Sequence, residues 1–262
     1  MIAQEPSAAV PSPVVAAVVV LAAGQGTRMR SSVPKVLHTL GGRSLLGHVL
    51  AAAEPLGAGT TVVVVGSGRD QVEQHLAQIA PTALAVVQEQ QLGSGHAAEV
   101  ALAAVPDLDG AVLVVNGDSP LLTSATLTAL VAAHDAAGSV FTVLTAEVDD
   151  PTGLGRIVRD ERGAPQAIVE ERDATDEQRA IREVNAGVYV ANAGTLRRVL
   201  AGLGTGNAQG EQYLTDALAP LVGAAPRPRP SAPTTPTTSS AATTGSSSPR
   251  AAARSTTACS GT

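Results

Sequence analysis

Glycines and basic side chains follow the first apolar run of the chain at a spacing that suits phosphate binding. The run ends at Leu21, and the next residues read AAGQGTR. Gly24 and Gly26 let the backbone approach a ligand closely, and successive amides can bind phosphate oxygens, while Arg28 and Lys35 add positive charge. A dinucleotide fingerprint and a Walker A loop are excluded, because the third glycine and the Gly-Lys-Ser/Thr sequence are missing. An ordinary tight turn remains the alternative.

Lys35 is the only lysine among 17 basic residues. A lysine presents a compact point charge, whereas an arginine presents a wide planar fork, and a tight phosphate site distinguishes the two. The pattern therefore favours a functional role for Lys35 over chance retention.

An acidic residue follows another valine-rich run, in the sequence Asn116-Gly117-Asp118. A carboxylate at a strand end beside a phosphate loop is well placed for Mg²⁺, which takes few protein ligands and substrate phosphate oxygens. The alternative is an aspartate that caps the turn before Pro120. The phosphate loop otherwise lacks its cation, so we expect Asp118 to be a metal ligand.

A glutamine and a glycine-serine pair follow a third apolar run. Gln88 offers both a donor and an acceptor, which suits recognition of a nucleobase edge. Gly93 and Ser94 then open a helix, and their backbone could approach the base. A simple N-cap at Ser94 or Gly95 explains these residues equally well.

The second half of the chain contains polar side chains suited to a sugar. Glu170 and Asn185 lie at short predicted strands, and they could bind hydroxyl or acetamido groups. Taken singly, each is more often a solvated edge residue. No histidine has a catalytic partner pattern or metal spacing, so we assign structural or surface roles to all five, which are His38, His48, His75, His96 and His134.

Alternating strands and helices must position these residues. The pattern predicts strands at 14–21, 61–65, 84–87, 111–115 and 140–146, with helices at 45–53, 69–80, 96–104 and 123–137 between them. Shorter strands follow at 156–159, 167–170 and 184–190, and then helices at 194–201 and 212–221. This order is typical of an α/β fold, a mainly parallel mixed sheet with helices on both faces, which binds ligands beyond the carboxyl ends of its strands.

Composition divides the chain and excludes several classes. We expect a disordered N-terminus (1–13), one α/β domain (14–223) and a disordered low-complexity tail (224–262) without acidic residues. The net charge of −6 and the 1% aromatic content argue against nucleic-acid binding. One cysteine excludes an intrachain disulfide, and the longest apolar run, 14–23, is too short for a membrane span. The sequence thus predicts a cytoplasmic protein.

The motifs together resemble a known family. LAAGQGTRM from Leu21, with PKVLH from residue 34, resembles the signature of sugar-phosphate nucleotidylyltransferases. Five further motifs resemble a narrower family. They are QLGSGHA from residue 91, GDSPLL from 117, DPTGLGRI from 150, IVEERDAT from 168 and NAQGEQYLTD from 207. They look like the N-terminal uridylyltransferase domain of the bifunctional N-acetylglucosamine-1-phosphate uridylyltransferase/glucosamine-1-phosphate acetyltransferases, over about residues 14–221.

The resemblance implies a Rossmann-like nucleotidyltransferase fold. It implies that UTP and N-acetylglucosamine 1-phosphate give UDP-N-acetylglucosamine and pyrophosphate, for cell-wall precursor synthesis. Arg28 and Lys35 would neutralise the triphosphate, and Asp118 would bind Mg²⁺. The residues implied in binding substrates are Leu21, Ala22, Ala23, Gly24, Lys35, Gln88, Gly93, Ser94, Asn116, Gly117, Asp118, Gly155, Glu170 and Asn185.

The chain departs from the family pattern in several places. Ser94 and Ala186 stand where relatives carry Thr, and Gln25 stands where Lys is frequent. The family's next segment, with an Asn as second metal ligand, and its trimerising hexapeptide-repeat domain do not follow residue 223. We therefore expect a truncated domain that is a monomer, with a tail that arose by a shifted reading frame or by an assembly error. A nucleotidylyltransferase for dTTP or CTP, or an inactive nucleotide-binding copy, is the alternative.

Overall fold

The computed structural model describes residues 15–24, 26, 31–224 and 253–260. Within these residues the strands are β1 (Ala17–Leu21), β2 (Thr39–Leu40), β3 (Arg43–Ser44), β4 (Thr60–Val65), β5 (Leu84–Val87), β6 (Ala111–Asn116), β7 (Ser139–Glu147), β8 (Arg156–Arg159), β9 (Pro165–Val169), β10 (Glu183–Asn192) and β11 (Ala253–Ser260). The α-helices are α1 (Leu45–Ala53), α2 (Arg69–Ile79), α3 (Ser94–Ala103), α4 (Ser124–Ala136), α5 (Asp176–Arg179), α6 (Ala193–Leu200) and α7 (Leu218–Ala224). Short 3₁₀ helices lie at Lys35–Leu37, Glu54–Leu56 and Leu214–Ala217.

The main sheet has the strand order β11-β7-β10-β6-β1-β4-β5. β6, β1, β4 and β5 are parallel to one another, whereas β10, β7 and β11 join in antiparallel pairs. β8 and β9 branch from β10 as a small antiparallel extension. This arrangement confirms the predicted mixed α/β sheet.

Valine-rich strands form the centre because helices cover both faces of the sheet. Val19 of β1 belongs to one buried cluster with α3 and α6 side chains, such as Leu102 and Leu196. Its neighbours Val18 and Val20 belong to the opposite cluster with residues of α1 and α4. A strand buried on both faces needs a continuous apolar run, which is the pattern that the sequence shows.

The predicted helix over residues 212–221 is wrong in its first part. Gln212 is extended, and a 3₁₀ helix at Leu214–Ala217 precedes α7. The Gln212 backbone N–H donates to Leu92 O at 2.7 Å, and its carbonyl accepts from Gly95 N at 2.8 Å. These long-range bonds replace helical ones, so a tertiary contact overrides the local preference.

The tail also differs in part from the expected disorder. Residues 253–260 form β11, which pairs with β7 from Ser139 to Ala146. The segment contains Thr256 and Thr257, which are β-branched and favour extended backbone. The other tail residues, 225–252 and 261–262, lie outside the described residues, as does the expected disordered segment 1–13.

Candidate active site

Two adjoining cavities open at the carboxyl ends of the parallel strands. After the substrates that the sequence resemblance implies, we call the cavity of about 610 Å³ the nucleotide-side cavity and the cavity of about 480 Å³ the sugar-side cavity. The predicted residues in the first wall are Leu21, Ala22, Ala23, Gly24, Lys35, Gln88, Gly93, Ser94, Asn116 and Asp118. Gly155, Glu170 and Asn185 line the second cavity. The two walls share Leu21, Ser94, Asn116 and Asp118, so the structure joins the predicted residues in one continuous site.

One described predicted residue, Gly117, stands apart from these walls. Gly117 packs between β6 and β1, where its N–H donates to Leu21 O at 2.9 Å and an added Cβ would lie 3.2 Å from the same oxygen. Gly117 thus permits the close approach of the two strand ends. Arg28 lies outside the described residues, as does Gln25.

Asp118, which lies in both cavity walls, forms an ion pair with Lys35 of the nucleotide-side wall. The Lys35 ammonium contacts Asp118 Oδ2, and both side chains are partly exposed. Lys35 begins a 3₁₀ helix after Pro34, and Asp118 follows β6. Gly26, at φ +57°, passes so close that an added Cβ would lie 2.9 Å from Lys35 Cβ. Gly26 therefore lies directly against the Lys35 side chain.

Gln88 is buried beneath the nucleotide-side cavity. It follows β5, and its backbone N–H donates to Val65 O at 2.8 Å. Its side-chain Nε2 donates to Gly93 O at 3.1 Å and lies 3.0 Å from His96 Nδ1. The orientation of the Gln88 amide is therefore determined by α3 and by the residue that precedes it.

The α3 N-cap is Gly93, and the helix begins at Ser94. Gly93 has φ +112°, and an added Cβ would lie 2.4 Å from Gln212 O, so only glycine fits there. The Ser94 hydroxyl accepts from Leu214 N at 3.0 Å. Gly93 and Ser94 thus attach the QYLTD segment, residues 212–216, to the nucleotide-side wall.

Glu170 lies in the wall of the sugar-side cavity with Thr215, to which sequence reasoning gave no role. The Thr215 hydroxyl donates to Glu170 Oε1 at 3.1 Å. Burial raises the pKa of the Glu170 carboxyl, and the Thr215 hydrogen bond opposes that shift. Glu170 is therefore an oriented and partly desolvated acceptor.

A β-bulge in β10 presents Asn185 to the same cavity. The pairing of β10 with β7 shifts between Asn185 and Tyr189. Asn185 Nδ2 donates to Tyr189 Oη at 2.6 Å, and Asn185 Oδ1 accepts from Gly187 N at 2.9 Å. Burial raises the pKa of the Tyr189 hydroxyl. Tyr189 thus holds the Asn185 amide in one orientation, a contact that the sequence pattern did not indicate.

Arg156 anchors the loop that carries Gly155. Its side chain is buried, donates to Leu154 O, and pairs with Glu171 Oε2 at 2.6 Å. The same Glu171 oxygen accepts from Gly153 N at 3.2 Å, and the Arg156 hydrogen bond lowers the pKa of the Glu171 carboxyl. Both residues lie in motifs that the sequence analysis quoted, but their partners are distant in sequence.

Asp118 is the carboxylate available for a cation. In the part of the chain that the structure describes, no three His, Cys, Asp or Glu side chains gather as a metal cluster. The partly exposed Asp118 carboxylate, in the walls of both cavities, fits Mg²⁺, which uses one or two carboxylates with water and substrate phosphates. Across the described residues, no helix is long and apolar enough to cross a bilayer.

A mixed α/β sheet with this site at its strand ends defines a class of nucleotide-binding enzyme folds. The chain matches the family described as MobA-like NTP transferase domain over residues 18–213, and it belongs to that family. It is 55% identical over 212 residues to the bifunctional protein GlmU of Thermobifida fusca. The alignment covers 79% of this chain and 44% of that relative. This similarity confirms the resemblance to the uridylyltransferase domain.

Other relatives give the same result. The bifunctional protein GlmU of Clavibacter sepedonicus is 58% identical over 202 residues, with 77% of this chain and 41% of the relative covered. The chain therefore spans less than half the length of the curated relatives it matches. A solved UDP-glucose pyrophosphorylase complexed with UDP-glucose has a TM-score of 0.65 at 19% identity, and covers 79% of this chain and 86% of that one. At this identity the likeness shows the fold alone.

Proposed function

We propose that the protein transfers the uridylyl group of UTP to N-acetylglucosamine 1-phosphate. A phosphate oxygen of the sugar attacks the α-phosphorus of UTP, the bond from that phosphorus to the bridging oxygen breaks, and pyrophosphate leaves. The observation that supports this proposal is the pair of adjoining cavities, which share Asp118 in their walls, with Lys35 paired to it on the nucleotide side. The two substrates would meet where the cavities adjoin.

The nucleotide-side wall suits a triphosphate. Residues 21–24 place backbone groups along the cavity, and Lys35 supplies a point charge beside them. By the family motif, Arg28 adds a second charge. Because the attacking phosphate is already ionised, the reaction needs no general base, and positioning with charge neutralisation supplies the rate.

Asp118 would hold Mg²⁺. When bound, the cation would neutralise phosphate charge and orient the triphosphate. Lys35 pairs with that carboxylate. A triphosphate would give Lys35 a second anionic partner beside Asp118.

The sugar-side wall suits an acetamido sugar. Glu170 can accept hydrogen bonds from sugar hydroxyls, and the Asn185 amide retains one donor and one acceptor position for an acetamido group. Ala186, in the same wall, contributes no hydroxyl. The relatives named GlmU support this substrate, because the motifs of this wall lie within the matched region.

The test is pyrophosphate release by the full chain with Mg²⁺ and a panel of nucleotides and sugar 1-phosphates. We expect release with UTP and N-acetylglucosamine 1-phosphate, and none when either is omitted. Release of pyrophosphate with dTTP or CTP, and not with UTP, would establish a different nucleotide specificity. Arg43→Ala is a matched control for Lys35→Ala, because Arg43 is exposed and outside both cavities.

A further inference from the structure

The side-chain amide of Gln88 is constrained by two neighbours. Gly93 O can only accept a hydrogen bond, so the nitrogen and not the oxygen of the amide must face it, at 3.1 Å. The same nitrogen lies 3.0 Å from His96 Nδ1. The amide nitrogen carries two protons and accepts none, so each proton has one acceptor.

This geometry also determines the state of His96. Because the Gln88 nitrogen cannot accept, His96 Nδ1 must be unprotonated, and the imidazole is neutral with its proton on Nε2. His96 lies in the first turn of α3, where the helix fixes its backbone. The imidazole is therefore a fixed acceptor beside Gln88.

The remaining group of the amide is its carbonyl oxygen. Gln88 Oε1 has no hydrogen-bond partner among the described residues, and it is not one of their fully buried unpaired atoms. Gln88 lines the nucleotide-side cavity. Sequence analysis predicted that Gln88 offers a donor and an acceptor to the base, but in the structure it can offer only an acceptor.

We propose that His96 is a positioning residue that fixes Gln88 as a pure acceptor and so makes the site select a base with a ring N–H. This inference rests on the proposed function, in which the nucleotide is UTP. Uracil carries a proton on N3, which Gln88 Oε1 accepts, whereas cytosine presents a lone pair at N3. His96 thus contributes to base selection through Gln88, without a contact to the nucleotide.

The first experiment uses the unmutated protein. In ¹⁵N-histidine-labelled full chain, NMR is expected to show His96 as the neutral tautomer with unprotonated Nδ1. A protonated Nδ1 at neutral pH would overturn the proposal, since it would face the Gln88 amide protons. The readout requires no activity and no substitution.

The second experiment measures dissociation constants of UTP, CTP and 3-methyl-UTP by calorimetry. We expect UTP to bind at least about 100-fold more tightly than the other two, because they lack the N3 proton. His96→Leu removes the acceptor and is expected to reduce this ratio by about tenfold or more, since one constraint on the amide is lost. His96→Asn, whose Oδ1 can accept in place of Nδ1, is expected to retain the ratio within about threefold.

The outcomes separate the two proposals. If the unmutated protein discriminates in favour of UTP but His96→Leu weakens UTP and CTP equally, His96 has a merely structural role and the inference fails. If the unmutated protein does not bind UTP, the proposed function itself fails. His48→Asn is the control, because His48 bonds to Leu40 O on the β2–β3 hairpin and lines neither cavity.

Discussion

At the scale of residues, the polar groups of the site pair with one another. Lys35 pairs with Asp118, Thr215 donates to Glu170, and Asn185 donates to Tyr189. Mutual pairing limits the cost of holding charges beside a partly desolvated cavity. It also fixes the orientation of each group for its ligand.

Lys35 is expected to be intolerant of substitution. Lys35→Ala should lower kcat by about 100-fold or more, because one fixed charge on the triphosphate is lost. Lys35→Arg should still lower kcat by about tenfold, since Gly26 packs against the Lys35 stem and a planar fork needs more room. Steady-state kinetics on folded variants provide the measurement, and full activity of Lys35→Arg would contradict this account of the site.

Glu170 is expected to make stability dependent on pH. Burial raises its pKa above the ordinary value of 4.5, so the folded protein retains a proton that the unfolded chain has released. The free energy of unfolding should therefore fall as the pH rises from the ordinary pKa of a glutamate through the raised pKa of Glu170. Glu170→Gln should remove this loss. The free energy of unfolding of the variant should therefore fall less between about pH 3.5 and about pH 7 than that of the unmutated protein.

The comparison is made by urea unfolding at both pH values. Thr215→Val provides the matched variant, because it removes the hydrogen bond that opposes the pKa shift of Glu170. It should increase the dependence of stability on pH. Equal pH dependence in the unmutated protein and both variants would refute the role assigned to burial.

Residue types predicted much of this site, and contacts distant in sequence account for the rest. Lys35 and Asp118 follow strand ends in the sequence, and the structure places them together. Arg156 could not be assigned, because its partner Glu171 and the carbonyl of Arg179 approach it only in the folded chain. The residues beside Gln88 in the sequence do not indicate that both protons of its side-chain amide are donated to Gly93 and His96.

At the scale of elements, loops that form hydrogen bonds with neighbouring loops position the site. The segment 212–214 bonds to Leu92, Ser94 and Gly95, and the turn at Gly153 bonds to Glu171. Strands were predictable from their continuous valine runs, because burial on both faces dictates that pattern. The non-helical backbone at Gln212 was not, because its backbone partners Leu92 and Gly95 lie more than a hundred residues earlier.

The pair of buried Arg156 and partly exposed Glu171 is expected to stabilise the Gly155 loop. Arg156→Leu should lower the free energy of unfolding by about 3 kcal/mol, because it removes a buried side chain whose donors bond to two backbone carbonyls and to Glu171. Arg182→Leu is the matched control, since Arg182 and its partner Asp149 are exposed, and its cost should be within about 0.5 kcal/mol. Denaturant unfolding measures both, and equal effects would contradict the assignment.

At the scale of the whole molecule, β11 covers the edge of β7. The paired residues run from Ala253 with Ala146 to Ser260 with Ser139. An unpaired sheet edge is a template for association with other chains. The tail segment thus occupies the position that would otherwise be open.

Removal of residues 253–262 is expected to expose β7. Hydrogen–deuterium exchange of β7 amides should accelerate by about tenfold or more, because the hydrogen bonds to β11 are lost. Exchange in β1, at the centre of the sheet, should not change and provides the internal control. Unchanged exchange in β7 would show that β11 does not pair stably with this edge.

The most direct test of the proposed reaction follows each phosphorus of UTP. With N-acetylglucosamine 1-phosphate and Mg²⁺, label from the α-phosphate should enter the nucleotide sugar, and label from the γ-phosphate should leave only as pyrophosphate. Lys35→Ala should transfer neither at a comparable rate, whereas Arg43→Ala should match the unmutated protein. Binding of UTP without transfer of the α-label, or release of the γ-label as orthophosphate, would contradict uridylyl transfer by this chain.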